Sequence, residues 1–336
     1  MSVNSFESQR EFLPGFELRL TKLPVAEGLS SRGLILGKAT NNLEIAIYDS
    51  ASRPRQDIIR KLWRERWKGR AIPLLTIVLY GDKSGLCGHT EQEREAPPVY
   101  FDLDIQHVER LCSSALKLPD HHSVDRFLRD QIPETESSIF GIKNHGLLAT
   151  YVIQRGKEEI PELWDKAYSH AASIAAKNER QLFSSLGYTI EELSGPASIL
   201  TAKESRIALA IFLDQTELAE VSSKRFGGQT PISYAINLAQ SHNLKWVVVC
   251  RGSELRLYPT STEIGVGRRG LTDSYLQINT ELLTEERKAF LWLAFSSEAL
   301  ASRGLFDLLL EKSDRYAIDV GQRLRDRIYT IVIPQL

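Results

Sequence analysis

Apolar and polar positions follow two different periods along this chain, and the switches between them lay out its elements. Residues 33–50, GLILGKATNNLEIAIYDS, hold two apolar runs on either side of Asn41 and Asn42, the pattern of a β-hairpin. In RPRQDIIRKLWRERWKGR (53–70), Ile58, Ile59, Leu62 and Trp63 recur at helical spacing, with Pro54 near the first turn. AIPLLTIVLYG (71–81) is an apolar run that stops at Gly81 and predicts a buried strand. PVYFDLDIQHVERLC (98–112) predicts a strand running into a short helix.

The same order returns about 165 residues later, which marks a candidate pseudo-repeat. SILTAKESRIALAIFLDQTE (198–217) predicts a hairpin centred near Glu204, and PISYAINLAQSHNL (231–244) a helix. KWVVVCRGSELRLYP (245–259) follows as a strand, a turn through Gly252 and a second strand. On that second strand, alternation sets Arg256 and Tyr258 opposite the Leu255 and Leu257 face. Between the repeats, residues 147–156 read as a strand and 161–187 as one long helix closed by Gly187. Residues 281–310 and 313–336 are helical in pattern, the last ending near Pro334. The abrupt finish at Leu336 fits a chain cut from a longer one.

Composition narrows the class. A chain of 336 residues has room for two or three cores, and 42% apolar with 25% charged residues describes a globular protein. The net charge of -1 rules out a uniformly basic surface and leaves room only for local basic patches. Cys87, Cys112 and Cys250 are too scattered for a disulfide framework or a metal knuckle, and Cys250, after three valines, reads as a small core residue. No run is long and apolar enough to span a bilayer, and the opening residues lack a secretory pattern, so the expected location is the cytoplasm.

Metal-dependent nuclease chemistry needs an acid on one strand, then an acid and a lysine two residues apart on the next, where alternate residues share a face. DQTELAEVSSK supplies Asp214, Glu217, Glu220 and Lys224, yet no acid-x-lysine, and the spacing of Glu220 and Lys224 suits a helix start or loop. Glu44 and Asp49 likewise lack a following lysine. Ala96-Pro97-Pro98-Val99 lacks the amide or acid and the aromatic ring with which DNA methyltransferases hold a flipped base, so it reads as a loop into a strand. GVGRRG (265–270) is a weak cofactor signal, because no strand-to-helix junction surrounds it. The histidines, including His121, His122 and His145, form no metal set. No catalytic residue, metal ligand or cofactor is assigned.

The basic residues are the remaining candidates. Arg251 and Arg256 on the hairpin, with Arg268 and Arg269 beyond it, form a group suited to nonspecific phosphate contacts. Arg64 and Lys68 stand in a second cluster with Arg60, Arg66 and Arg70. There Trp63 and Trp67 share a helix face and read more simply as buried rings than as base-stacking platforms.

Residues 140–336, through LFSSLGY, IFLDQTE, PISYAINLAQ, KWVVVCRGSELRLYP, FLWLAFSSEAL and the final helix, resemble the region preceding the catalytic domain of single-chain restriction-modification enzymes and of related phage-defence (BREX- and DISARM-type) adenine-specific DNA methyltransferases. The resemblance implies an α/β fold of two restriction-nuclease-like mixed-sheet modules with a helical connector and C-terminal helices. It places an N-terminal module at 1–145, a second module without its catalytic motif at 146–280, and a helical connector at 281–336. It implies a DNA-binding or scaffolding component of a bacterial defence system, with double-stranded DNA and a methyltransferase or other defence protein as partners. A cryptic Mg²⁺-dependent endonuclease using Asp214, Glu220 and Lys224, and a purely protein-binding scaffold, are the alternatives.

Overall fold

A computed structural model describes residues 12–37, 42–68, 72–88, 97–132, 141–174, 178–193, 195–266, 270–283 and 287–327. The chain divides into two compact units, Met1–Phe140 and Gly141–Leu336.

The first unit is built on a six-stranded mixed sheet. Its strands are β1 (Leu18–Arg19), β2 (Leu29–Leu36), β3 (Glu44–Ser50), β4 (Leu74–Tyr80), β5 (Lys83–Cys87) and β6 (Val99–Asp104), in that spatial order. Every neighbouring pair is antiparallel except β3 and β4, which run parallel because helix α1 (Gln56–Trp67) crosses between them. The apolar stripe foreseen on α1 is the one that packs. Ile59, Leu62 and Trp63 bury against Ala46, Tyr48, Val78 and Cys87, and Trp63 Nε1 donates to the Leu74 carbonyl at 2.8 Å. Trp67 stacks on Trp63 with centroids 5.5 Å apart. Helices α2 (Ile105–Leu116) and α3 (His121–Gln131) complete the unit, each started by an aspartate cap, Asp104 and Asp120.

The second unit carries seven strands: β7 (Ile142–His145), β8 (Thr189–Glu192), β9 (Ala197–Ala202), β10 (Ser205–Phe212), β11 (Trp246–Arg251), β12 (Glu254–Pro259) and β13 (Tyr275–Asn279). Their spatial order is β7-β13-β12-β11-β10-β9-β8. Again one pair is parallel, β10 with β11, and helix α8 (Pro231–Ser241) crosses between them. The remaining pairs are antiparallel. The pseudo-repeat is therefore real at the level of topology. β1-β2-β3-α1-β4-β5-β6 and β8-β9-β10-α8-β11-β12-β13 share element order, neighbour relations and the sign of every strand pair.

One face of the second sheet packs on α8 through Leu209, Ile211, Val247 and Val249 against Ile232, Ala235, Ile236 and Ala239. On the opposite face, Trp246 meets Phe306 of α11 (Leu305–Arg327) edge to face at 5.2 Å. α9 (Ala289–Phe295) lies against α6 (Pro161–Ala172), whose Trp164 meets Phe290 edge to face at 5.0 Å, and α10 (Ser297–Leu300) joins α9 to α11.

Three expected stretches differ: at the C-terminal end, one helix, α11, runs unbroken through residues 310–313, and the expected end near Pro334 lies outside the described residues. Residues 147–156 are not a strand: α4 (Thr150–Gln154) occupies them and α5 (Gly156–Glu159) follows. The strand lies earlier, at β7, and ends where the Asn144 side chain bridges forward, donating to the Leu148 carbonyl at 2.7 Å and accepting from the Leu148 N–H at 3.0 Å. A short apolar run such as Leu147–Ile153 fits either element, and burial of Val152 and Ile153 beside α11 selects the helix. The long helix expected over 161–187 is two, α6 and α7 (Glu179–Ser185). α6 is closed at Ser173, and α7 is restarted by the Asn178 side chain, which accepts from the Gln181 N–H. β7 pairs with β13, so residues 142–145 belong to the second unit. The C-terminal helices pack within that unit and do not form a separate connector.

Candidate functional site

The second unit concentrates its buried charge where the sheet face that packs on α8 continues past that helix onto β12 and β13. Register and alternation set Leu255 and Leu257 on the same side as Trp246 and Val248, toward α11. Glu254, Arg256 and Tyr258 lie on the other side, with Val247 and Val249, so the two faces of β12 are those the sequence pattern indicated. Arg256 does not project to solvent: its side chain is only 6% exposed. Its Nε donates to Glu254 Oε1 at 2.9 Å, its Nη1 pairs with Glu220, and its guanidinium lies 5.4 Å from the centroid of Tyr275. Glu254 is the hub, since its other oxygen also accepts from Arg251 Nη2 and Gln277 Nε2, each at 3.3 Å. Arg251 Nη1 donates to the Glu217 carbonyl at 3.3 Å.

The electrostatics follow from this geometry. Burial favours a neutral Arg256, but Glu254, then the neighbouring Tyr258 hydroxyl and Glu220, more than offset that and strengthen its hold on the proton. Partial burial pushes the Glu220 carboxyl up, and Arg256, with Arg251 farther off, outweighs it and holds the group below the usual carboxylate range. A buried, doubly paired guanidinium is already neutralised, so Arg256 is corrected from a phosphate contact to a structural charge.

The other basic candidates divide. Arg251 is half-committed to Glu254. Arg268 and Arg269 lie outside the described residues. Arg64 and Lys68 are exposed at the last turn and cap of α1, where positive charge also complements the helix dipole. Their neighbours are engaged: Arg66 pairs with Glu44 at 2.9 Å and Arg60 Nε donates to the Pro97 carbonyl at 3.0 Å.

Asp214, Glu217, Glu220 and Lys224 occupy the connection between β10 and α8 and lie on no common strand. Glu217 accepts from the Asp214 N–H and pairs with Arg225, Glu220 is held by Arg256, and Lys224 is exposed at the start of a 3₁₀ turn, Lys224–Phe226. Among the described residues, no group of three or more His, Cys, Asp or Glu side chains is arranged to hold a metal. The glycine loop has a packing reason. At Gly265 the backbone adopts φ +105°, and a Cβ would stand 2.7 Å from the Gly146 carbonyl oxygen. The next described element after Gly265 is β13. Cys87, Cys112 and Cys250 are all buried and free, and burial pushes each thiol up, that of Cys87 to about 12.

Beside the charged network lies a cleft of about 590 Å³ lined by His145, Glu220, Ile232, Tyr258, Gly270, Thr272, Asp273 and Tyr275. Three aromatic rings form a row across β12, β13 and β7. Tyr258 lies 5.2 Å from Tyr275, and Tyr275 stacks on His145 at 4.4 Å, its direct partner across the strands. Sequence reasoning missed Glu254, although Glu254 and Arg256 at alternate positions of an apolar hairpin signal an ion pair on one face. It also missed the row, because His145 and Tyr275 are 130 residues apart and meet only through sheet pairing. No helix among the described residues is long and apolar enough to cross a membrane. Compared with known proteins, the chain matches no family model, no curated protein and no solved structure.

Proposed function

We propose that this chain is a non-catalytic scaffolding component of a bacterial restriction-modification or phage-defence system, in which two nuclease-like modules hold a partner methyltransferase or related defence enzyme. The observation that carries this reading is the inward pairing of Arg256 with Glu254 and Glu220 on the hairpin of the second module. Arg256, buried and paired with Glu254 and Glu220, is not free to meet a phosphate. The nuclease-like assignment is supported by the hairpin that follows each crossover helix, in the place the resemblance implies. The expected results are co-elution of the purified chain with a methyltransferase encoded beside it, and intact supercoiled, linear and single-stranded DNA after incubation with Mg²⁺ or Mn²⁺. Cleavage, or failure to associate, would reject the proposal.

A second reading, contact with duplex DNA, is favoured by the exposure of Arg64 and Lys68 one turn apart on α1. If they contact phosphates, replacing both with alanine weakens duplex binding at every sequence and reduces the salt slope by about one per residue. An unchanged slope removes them from any DNA surface.

A further inference from the structure

We propose that the C-terminal half of α11 is a self-association surface, on which a second copy of the chain lays the same stretch of its own α11 antiparallel. Such pairing stands apart from the scaffold reading above, since it draws only on the residues of α11.

The stripe of α11 that faces its own unit outruns that unit. Phe306, Leu309, Leu310 and Ser313 are buried. At the same helical spacing the stripe continues as Ala317, Val320 and Leu324, and Leu324 lies five turns beyond Phe306 on one line. Val320 and Leu324 are 42% and 59% exposed, so side chains spaced to meet a packing partner have none among the described residues. Charge indicates what covers them. From Glu311 to Arg323 most charged side chains pair within the chain: Glu311 with Arg315, Lys312 with Glu159, and Asp319 with Arg323. Among the described residues, Asp314 and Arg325 make no ion pair. These two lie on one flank of the apolar stripe, three turns and about 16 Å apart. A two-fold axis midway between them, beside Val320, sets Asp314 of each copy against Arg325 of the other, so one surface supplies both halves of two equivalent pairs. A parallel arrangement would instead set like charge against like. Gly321, next to that axis, has open space where a Cβ would stand. Glycine inside a helix is destabilising, and here it lets a second backbone approach closely. Exposed ion pairs add little affinity, so the apolar stripe drives association and the charges set its direction. Three apolar side chains per copy make a contact smaller than the roughly 1,200 Å² of a standard interface, and the dimer therefore exchanges with monomer.

The test is sedimentation equilibrium of the full chain at low salt, over an about hundredfold range of concentration, where a reversible monomer–dimer equilibrium is expected. Leu324→Asp is expected to weaken the dimer at least about tenfold, because each dimer loses the contact twice, and to leave the Tm of the dilute chain unchanged, because the side chain is exposed in the monomer. Ile318→Asp, also exposed but on the far side of the helix, is the control and is expected to leave association unchanged. Asp314→Arg and Arg325→Asp are each expected to weaken association several-fold, and the two together to restore it, an outcome specific to antiparallel pairing. A chain that stays monomeric at every concentration, a dimer insensitive to Leu324→Asp, or equal loss from Leu324→Asp and Ile318→Asp would overturn the surface. No effect of either charge reversal, or no recovery when they are combined, would overturn the antiparallel arrangement.

Discussion

Arg256 shows how one residue changes role when its neighbours across the sheet are known. Read along the chain, it is an arginine on an alternating strand; in the fold, it is a buried cation between two carboxylates. Removing one partner of such a pair leaves a charge without compensation, so Arg256→Met is expected to lower unfolding free energy by about 3–5 kcal/mol in urea titrations. Changing Glu254 to Gln in the same chain should recover part of the loss, because Glu254 is the buried acid that loses its partner. Glu220 sets a pH dependence. Its folded pKa lies below its unfolded value, so its contribution is fully present above the ordinary glutamate range and is lost as pH falls through the depressed folded value. Stability measured from neutral pH down into that acidic window should therefore drop less steeply in Glu220→Gln than in the parent chain. Equal slopes would show that the Arg256 pairing adds nothing to acid sensitivity.

Among the elements, the β9–β10 hairpin carries an evident local strain. Its turn residues, Lys203 and Glu204, have φ of +49° and +64°, the left-handed region in which side chains are disfavoured. Replacing them with Asn and Gly is expected to raise stability by roughly 1 kcal/mol, read as a shifted urea midpoint at constant slope. The position of this turn was legible because polar Lys203 and Glu204 interrupt two apolar runs. α1, β4, β6, α8, β11 and β12 were legible for the same reason, each having a clear period or a clear break. The helix at Thr150–Gln154 was not, since five residues are too few to show a period and packing made the choice. The break between α6 and α7 was marked by Asn178, a good cap, but the apolar periodicity on both sides concealed it.

At the scale of the whole molecule, the shared topology of the two units divides the core in two. Each sheet has its own crossover helix and its own buried apolar cluster, one gathered around Trp63 in the first unit and one around Phe226 in the second. Chains cut between Phe140 and Gly141 are expected to give two fragments that each unfold cooperatively, monitored by circular dichroism and amide exchange. A fragment 141–336 lacking cooperative unfolding would show that its sheet depends on the first unit.

Hydrophobic period and turn chemistry, both local properties, determined the α/β class, the repeated order of elements and the two faces of the β11–β12 hairpin. Tertiary structure decided which strands pair, where the unit boundary falls, and that Arg256 turns inward while Arg64 and Lys68 stay exposed. The reason is physical. Alternation tells which residues share a face, but whether that face meets water, a helix or an acid such as Glu220 depends on segments distant in the chain, and pairing energies act only once those segments are brought together.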